Sequence, residues 1–189
     1  MRVLVGLGNP GEEYERTRHN AGFWLLDKVG AELDWRLFKG GELAEIGSGG
    51  AKSFLFKPML YMNRSGEPIR DLLNFYKIDA ADTCIAADDV YLAPGVARIR
   101  QSGNDGGHNG WKSVQELVKP DSYSRVRIGV GIYEQHPLKR AHQPPLDKYV
   151  LQPMPDDEQK EADLLIDELA PLMLRWLQSG ELEPQTLTS

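Results

Sequence analysis

Two short stretches of this chain carry residues that could move a proton. Thr17-Arg18-His19-Asn20 places a histidine on the loop entering the first long helical pattern, which starts near Gly22. An imidazole takes up and returns a proton near neutral pH. Beside a helix N-terminus its cationic form is disfavoured, which keeps the ring neutral and basic. The same position equally suits a histidine that merely caps a helix. Asp88-Asp89 ends an apolar run, Thr83 to Ala87. In open α/β sheets ligands sit outside the carboxyl ends of strands. A carboxylate there can orient His19 and stabilise its imidazolium.

Three more stretches offer polar groups. Gly6-Leu7-Gly8-Asn9-Pro10-Gly11 matches the dinucleotide fingerprint G-x-G-x-x-G. That fingerprint needs a helix to begin inside the motif, so that backbone N–H groups meet the pyrophosphate. Here Pro10 pushes Asn9 out of the helical region, and the helix pattern waits until about Gly22. A turn presenting Asn9 beside a cleft is the expectation, with a ligand-free tight turn as its alternative. Tyr61-Met62-Asn63-Arg64-Ser65 places an aromatic and an amide before a helix; an amide both donates and accepts. Ser102 to Gly110 holds four glycines around His108 and Asn109. Backbone N–H groups where the next helix starts could hold an oxyanion or phosphate.

No metal is expected. H-E-x-x-H and C-x-x-C are both absent, and His108, His136 and His142 have no ligand spacing. No activated nucleophile is evident either. Gly47-Ser48-Gly49-Gly50 lacks the helix of a nucleophile elbow, and Cys84 lies in an apolar strand. Water activated by a base is what remains.

The elements that must position these groups can be read from periodicity. Arg2 to Gly6, residues 54–56, Thr83 to Ala87, Val96 to Arg100 and residues 126–130 read as strands. Gly22 to Leu33, a segment capped by Ser65 and reaching Tyr76, Trp111 to Val118, and residues 157–177 read as helices. Pro171 should kink the last. Residues 132–147 read as a loop, and the tail after Ser179 as polar and frayed. Strands and helices intermix without a repeat, which predicts one α/β domain spanning the 189 residues.

Composition narrows the partners. One cysteine rules out an internal disulfide and fits a reducing compartment. The first residues show no signal peptide and no stretch suits a membrane span, so a cytoplasmic protein is expected. The net charge of −6 is uneven. Residues 147–189 carry ten acids and three bases, whereas residues 95–146 carry four acids and eight bases. A basic region within the body permits phosphate contacts, although a solvated face would look the same.

Taken in order, these motifs resemble the bacterial-type peptidyl-tRNA hydrolase family. The matching stretches are Val5 to Gly11 with Tyr14, Thr17 to Gly22, Lys57-Pro58, and Tyr61 to Gly66. Asp88, Leu92 with Pro94-Gly95, Gly106 to Gly110, Arg127 to Gly131 and Tyr149-Val150-Leu151 follow. The resemblance implies a single α/β domain with a mixed, twisted β-sheet flanked by helices. It implies hydrolysis of the ester joining a peptide to the terminal ribose of tRNA, with no cofactor and no metal. It gives His19 the role of base, Asp88 that of its support, and Asn9 that of distinguishing peptidyl from free aminoacyl groups. Tyr14, Tyr61, Met62, Asn63, His108 and Asn109 become contacts to the acyl and 3′ end. Independently of the resemblance, Arg98 and Arg100 alternate on one strand face beside the Gly-His-Asn loop, where they could contact acceptor-stem phosphates. A monomer without membrane or obligate protein partner is implied.

Three departures stand out. The family usually shows Asp-Glu, an apolar residue, then Asp; here Asp88-Asp89-Val90-Tyr91 stands. Asp105 adds a negative charge to a loop expected to face RNA. Ile132-Tyr133-Glu134 follows Gly131 where the family often has Arg-Pro, and Lys139 and Arg140 are the candidates to compensate. A binding-only relative with this fold and a nucleotide-dependent enzyme are the competing readings. The intact set Asn9, His19, Asn63, Asp88 and Asn109 disfavours the former.

Overall fold

The computed structural model describes residues 1–47, 52–131 and 145–189. Its centre is an eight-stranded mixed sheet. The strands are β1 (Val3–Gly6), β2 (Trp35–Phe38), β3 (Gly41–Ile46), β4 (Ser53–Pro58), β5 (Thr83–Asp89), β6 (Val96–Arg100), β7 (Ser124–Gly129) and β8 (Gln185–Thr188). Their order across the sheet is β2-β3-β4-β1-β5-β7-β6-β8. The middle strands β4, β1, β5 and β7 run parallel and the flanks antiparallel. Being covered on both faces, β1, β4 and β5 are buried throughout, so their apolar runs do not alternate with polar residues.

Helices α1 (Ala21–Val29) and α5 (Asp156–Ser179) cover one face; α2 (Gly66–Tyr76) and α3 (Asn109–Leu117) cover the other. The short α4 (Leu146–Tyr149) packs beside α5. Leu4, Leu25, Leu26, Leu55, Leu165, Leu169 and Met173 form the first core; Val3, Val5, Phe54, Phe56, Ile69, Leu72 and Trp111 form the second. Successive β1 side chains thus feed opposite cores, as a two-residue period requires.

Four local readings change. The tail is not frayed over its last residues. Gln185–Thr188 pairs antiparallel with β6, with Leu187 opposite Ala97, because the edge of β6 offers unpaired backbone groups. The hairpin β2–β3 adds two strands to those expected from periodicity. Its two-residue turn uses Lys39 and Gly40 at φ of 45° and 77°, the pair of positive values a primed turn needs, without asparagine or aspartate. Ser65 does not cap α2 through its side chain. It has helical φ and ψ, and its hydroxyl donates to Met62 O at 2.9 Å, while Gly66 N–H donates to Ser113 Oγ at 3.0 Å. The region expected as a loop from 132 to 147 includes the start of α4; its residues 132–144, Lys139 and Arg140 among them, lie outside the described residues. Pro171 sits inside α5 without ending it.

One contact sets the site's depth. A methyl group on Gly22 would collide with backbone atoms of Leu7 and Ala86, and one on Gly6 with the carbonyl of Gly22. Helix α1 therefore rests directly on β1 and β5. Gly6 serves this close packing, which removes the nucleotide reading: α1 begins at Ala21, ten residues past Gly11, and not inside the Gly6–Gly11 motif.

Candidate active site

His19 enters on a single 3-10 turn, Arg18–Asn20, immediately before α1. Its backbone N–H donates to Val150 O at 2.9 Å, and Arg18 N–H donates to Gln152 O at 3.2 Å. Arg18 anchors this segment. Its guanidinium donates to the carbonyls of Val130 and Pro153 at 3.1 and 3.0 Å, pairs with Glu158 at 3.0 Å, and lies 4.2 Å over the Tyr149 ring. The sequence offers a signal for Arg18 only in its position beside His19; its buried, purely structural set of partners comes from distant segments.

The strand end supplies the partner. Asp88, second-last in β5 and 2% exposed, holds His19 Nδ1 at 2.9 Å through Oδ1. The same oxygen lies 2.8 Å from His108 Nε2. His108 Nδ1 accepts from the backbone N–H groups of Gly110 and Trp111 at 3.0 and 3.3 Å. Because Nδ1 of His108 accepts, its proton sits on Nε2 and is donated to Asp88. His108 thus caps α3 with an imidazole and braces the carboxylate behind His19. Its cap also consumes two of the helix-start N–H groups that the sequence suggested for an oxyanion.

Electrostatics follow from this cluster. Burial opposes charge on Asp88, yet the two imidazoles, by charge and by hydrogen bond, hold its pKa well below the usual carboxylate range. Burial lowers the pKa of His19, but the charge and hydrogen bond of Asp88 outweigh it, so the net shift is upward. The helix N-terminus that was expected to keep the ring neutral is outweighed. With Asp88 ionised, His19 Nδ1 carries the proton, and the neutral ring presents a bare Nε2.

The cluster opens on a cavity of about 250 Å³ that His19, Asp88, His108, Asn109, Tyr91 and Arg127 help to line. Asn109 begins α3 and is exposed there. Arg127 of β7 reaches Asp89 Oδ2 at 3.3 Å and bonds the carbonyl of Asn104. Arg127 is a site residue beyond those expected from sequence, although the alternation of Val126 and Ile128 with Arg125 and Arg127 marks it as facing away from those two core residues. Arg98 stands opposite Arg127 in the β6–β7 register, and Arg100 opposite Arg125, so the four arginines share one sheet face. Arg98 is exposed, whereas Arg100 donates to the carbonyls of Ile99 and Gln185. Arg125 is fully buried against Tyr123 and Trp111 and pairs with Asp121 at 2.6 Å.

The amides divide into held and free. Asn20 clamps the backbone of Asn9 by accepting its N–H at 2.9 Å and donating to its carbonyl at 3.0 Å. Asn9 Oδ1 accepts from Met62 N–H at 2.8 Å, which leaves its NH₂ without a partner among the described residues. Met62 is buried and Asn63 exposed, on the 3-10 turn Met62–Arg64 ahead of α2. Tyr14 and Tyr61 meet edge to face with ring centroids 6.5 Å apart, and Tyr61 is 60% exposed. The structure therefore gathers His19, Asp88, His108 and Asn109 on one cavity. Asn9, Met62, Tyr14 and Tyr61 form a neighbouring group, and Arg98 and Arg100 lie on the sheet flank.

His19, Asp88 and His108 also form the one group of possible metal ligands among the described residues, with ligand atoms within 4.8 Å of one another. Their spacing of 2.8–2.9 Å and the capping role of His108 fit direct hydrogen bonds.

Similarity to known proteins bears on what this arrangement does. A family model described as peptidyl-tRNA hydrolase matches residues 3–188. A relative named peptidyl-tRNA hydrolase from Listeria monocytogenes serotype 4a (strain HCC23) is 40% identical over 186 residues, covering 97% of this chain and 96% of its own. One of the same name from Bordetella avium is 40% identical over 184 residues, covering 93% and 86%. A crystal structure of peptidyl-tRNA hydrolase from Acinetobacter baumannii superposes with a TM-score of 0.74 at 31% identity, covering 95% of each chain. With a match of this extent and the histidine–carboxylate cluster at the strand ends, the chain belongs to the peptidyl-tRNA hydrolase family.

Proposed function

We propose that His19 Nε2 is the base that activates water as the ester between a peptide and the terminal ribose of tRNA is hydrolysed. The observation that carries this reading is the bond from His19 Nδ1 to ionised Asp88, which fixes the tautomer and leaves Nε2 bare on a ring lining the cavity. Water loses a proton to Nε2 as its oxygen attacks the ester carbonyl. Asp88 stabilises the imidazolium that forms. The tetrahedral oxyanion collapses, the ribose oxygen leaves, and Nε2 returns the proton to it. Free tRNA and a peptide with a new carboxylate result.

Two side-chain amides suit the acyl group. Asn109 offers a donor beside the base, and the free NH₂ of Asn9 offers one to a peptide carbonyl that an unblocked aminoacyl ester lacks. Sites that read such a hydrogen bond discriminate by about 10⁴ or more. Asn63, Tyr14 and Tyr61 flank this amide as further substrate contacts. His108 acts through Asp88 and positions it. Arg98, exposed on the sheet flank opposite Arg127, is suited to backbone phosphates without reading bases. The protein works in this reading as a cytoplasmic monomer without a cofactor.

The decisive comparison sets N-acetyl-aminoacyl-tRNA against free aminoacyl-tRNA, for wild type and His19→Ala. Turnover of the blocked substrate alone, nearly lost in the variant, is expected. Full activity in His19→Ala would remove the base from this account.

A further inference from the structure

A second cavity, about 580 Å³, opens at the Asn9 turn and shares no lining residue with the cavity at His19. Four carboxylates line it: Glu12, Glu15, Asp27 and Glu42. Its one base, Lys57, is bonded to Asp27 and lies 4.8 Å over the Trp35 ring. Glu12, Glu15 and Glu42 form no ion pair among the described residues. Phe23 and Trp24 give it an aromatic wall, and the Trp24 indole is fixed by donating to Glu15 O at 2.7 Å.

An acidic lining alone would be no site. The independent observation is Asn9. This residue is only 5% exposed and lines the cavity, and its NH₂ finds no acceptor among the described residues. Both its backbone groups and its Oδ1 are already engaged, so of its polar groups only the NH₂ is left to meet an acceptor. A peptide carbonyl is a fitting acceptor.

We propose that this cavity receives the part of the substrate's peptide that lies upstream of the esterified residue, and that it favours cationic side chains. The inference rests on the hydrolase reading and extends it by assigning the two ends of the substrate to two regions of opposite charge. Three uncompensated carboxylates repel phosphate, which excludes the RNA, and attract lysine or arginine. The exposed Arg98 lies on the sheet flank beyond β5 and does the opposite. The aromatic wall accepts the methylene stems of long cationic side chains and their charged ends.

The test uses one tRNA charged with acetyl-Lys-Lys-Ala, acetyl-Ser-Ser-Ala or acetyl-Glu-Glu-Ala. Wild-type kcat/KM should fall in that order, spanning roughly tenfold from first to last. In the Glu12→Gln/Glu15→Gln/Glu42→Gln variant the three rates should converge, with the serine substrate unchanged. Glu161→Gln/Asp163→Asn/Glu168→Gln, which removes equal charge from the exposed side of α5, should keep the wild-type order. Equal wild-type rates, or an order that survives the cavity variant, would overturn the proposal. Binding of the free acetylated peptides, followed through the Trp24 indole N–H signal in NMR, separates the two claims. If no peptidyl-tRNA is hydrolysed, the hydrolase reading falls. A shift of that signal by the lysine peptide and not the glutamate peptide then still supports the cavity assignment, and an equal response to both overturns it.

Discussion

His19 and His108 meet on a single carboxylate oxygen, Oδ1 of Asp88, at 2.9 and 2.8 Å. The two rings do different work there. One leaves Nε2 open; the other has both nitrogens committed, to Asp88 and to the start of α3.

This sharing predicts opposite pH shifts for two substitutions. Activity requires neutral His19, so kcat/KM should rise with pH through a value above the ordinary 6.5. Asp88→Asn removes the charge that raises it, and the rising limb should move to lower pH. His108→Ala leaves Oδ1 to His19 alone and should move the limb to higher pH. A pH–rate profile for each variant checks both signs; shifts in the same direction would refute the shared-oxygen account.

The same pair predicts a stability dependence. His19 has a raised pKa in the fold, so its contribution is full below pH 6.5 and is lost as pH rises through the folded value. Asp88 has a depressed pKa, so its contribution is present above its ordinary 3.8 and is lost as pH falls toward the folded value. Denaturant midpoints in wild type should therefore decline on both sides, and Asp88→Asn should flatten both declines.

Loss of the base should be large and specific. His19→Ala should lower kcat on N-acetyl-aminoacyl-tRNA by about 10²–10⁴ with little change in KM. Single-turnover assays with saturating enzyme measure this directly. A variant impaired only in KM would place His19 in binding.

Arg98→Ala should leave kcat intact and raise KM. The slope of log KM against log salt should shrink by about one phosphate contact. An unchanged salt slope would take Arg98 off the tRNA path.

Much of this was legible in the sequence, for identifiable reasons. The parallel strands β1, β4 and β5 announced themselves as apolar runs, and Asp88 as an acid at a strand end. His19 is marked by the motifs around it, since a histidine before a helix is by itself more often a cap. The rest was hidden by distance. His108 and Asp88 lie 20 residues apart and Arg18 meets Glu158 across 140, so neither pairing leaves a local trace. The strands β2 and β8 sit at the two edges of the sheet. Half-exposed edge strands carry little periodicity, and β8 forms only because β6 has a free side.

Arg18 shows how structure and catalysis overlap in adjacent residues. Replacing it by leucine would leave buried carbonyls of Val130 and Pro153 unpaired and strand Glu158. A stability loss of about 3 kcal/mol is expected, with a fall in Tm of about 6–12 °C. Calorimetry checks it.

The bare contact of Gly22 with Leu7 and Ala86 makes α1 a lever with no slack. His19 and Asn20 ride at its short end. A single added methyl at position 22 would lift the helix off the sheet and carry both residues with it. Displacements near 1 Å cost about a hundredfold in rate. The most sensitive handle on this enzyme's turnover is then a hydrogen atom that never sees the substrate: Gly22→Ala should silence a folded protein whose catalytic side chains are all still present.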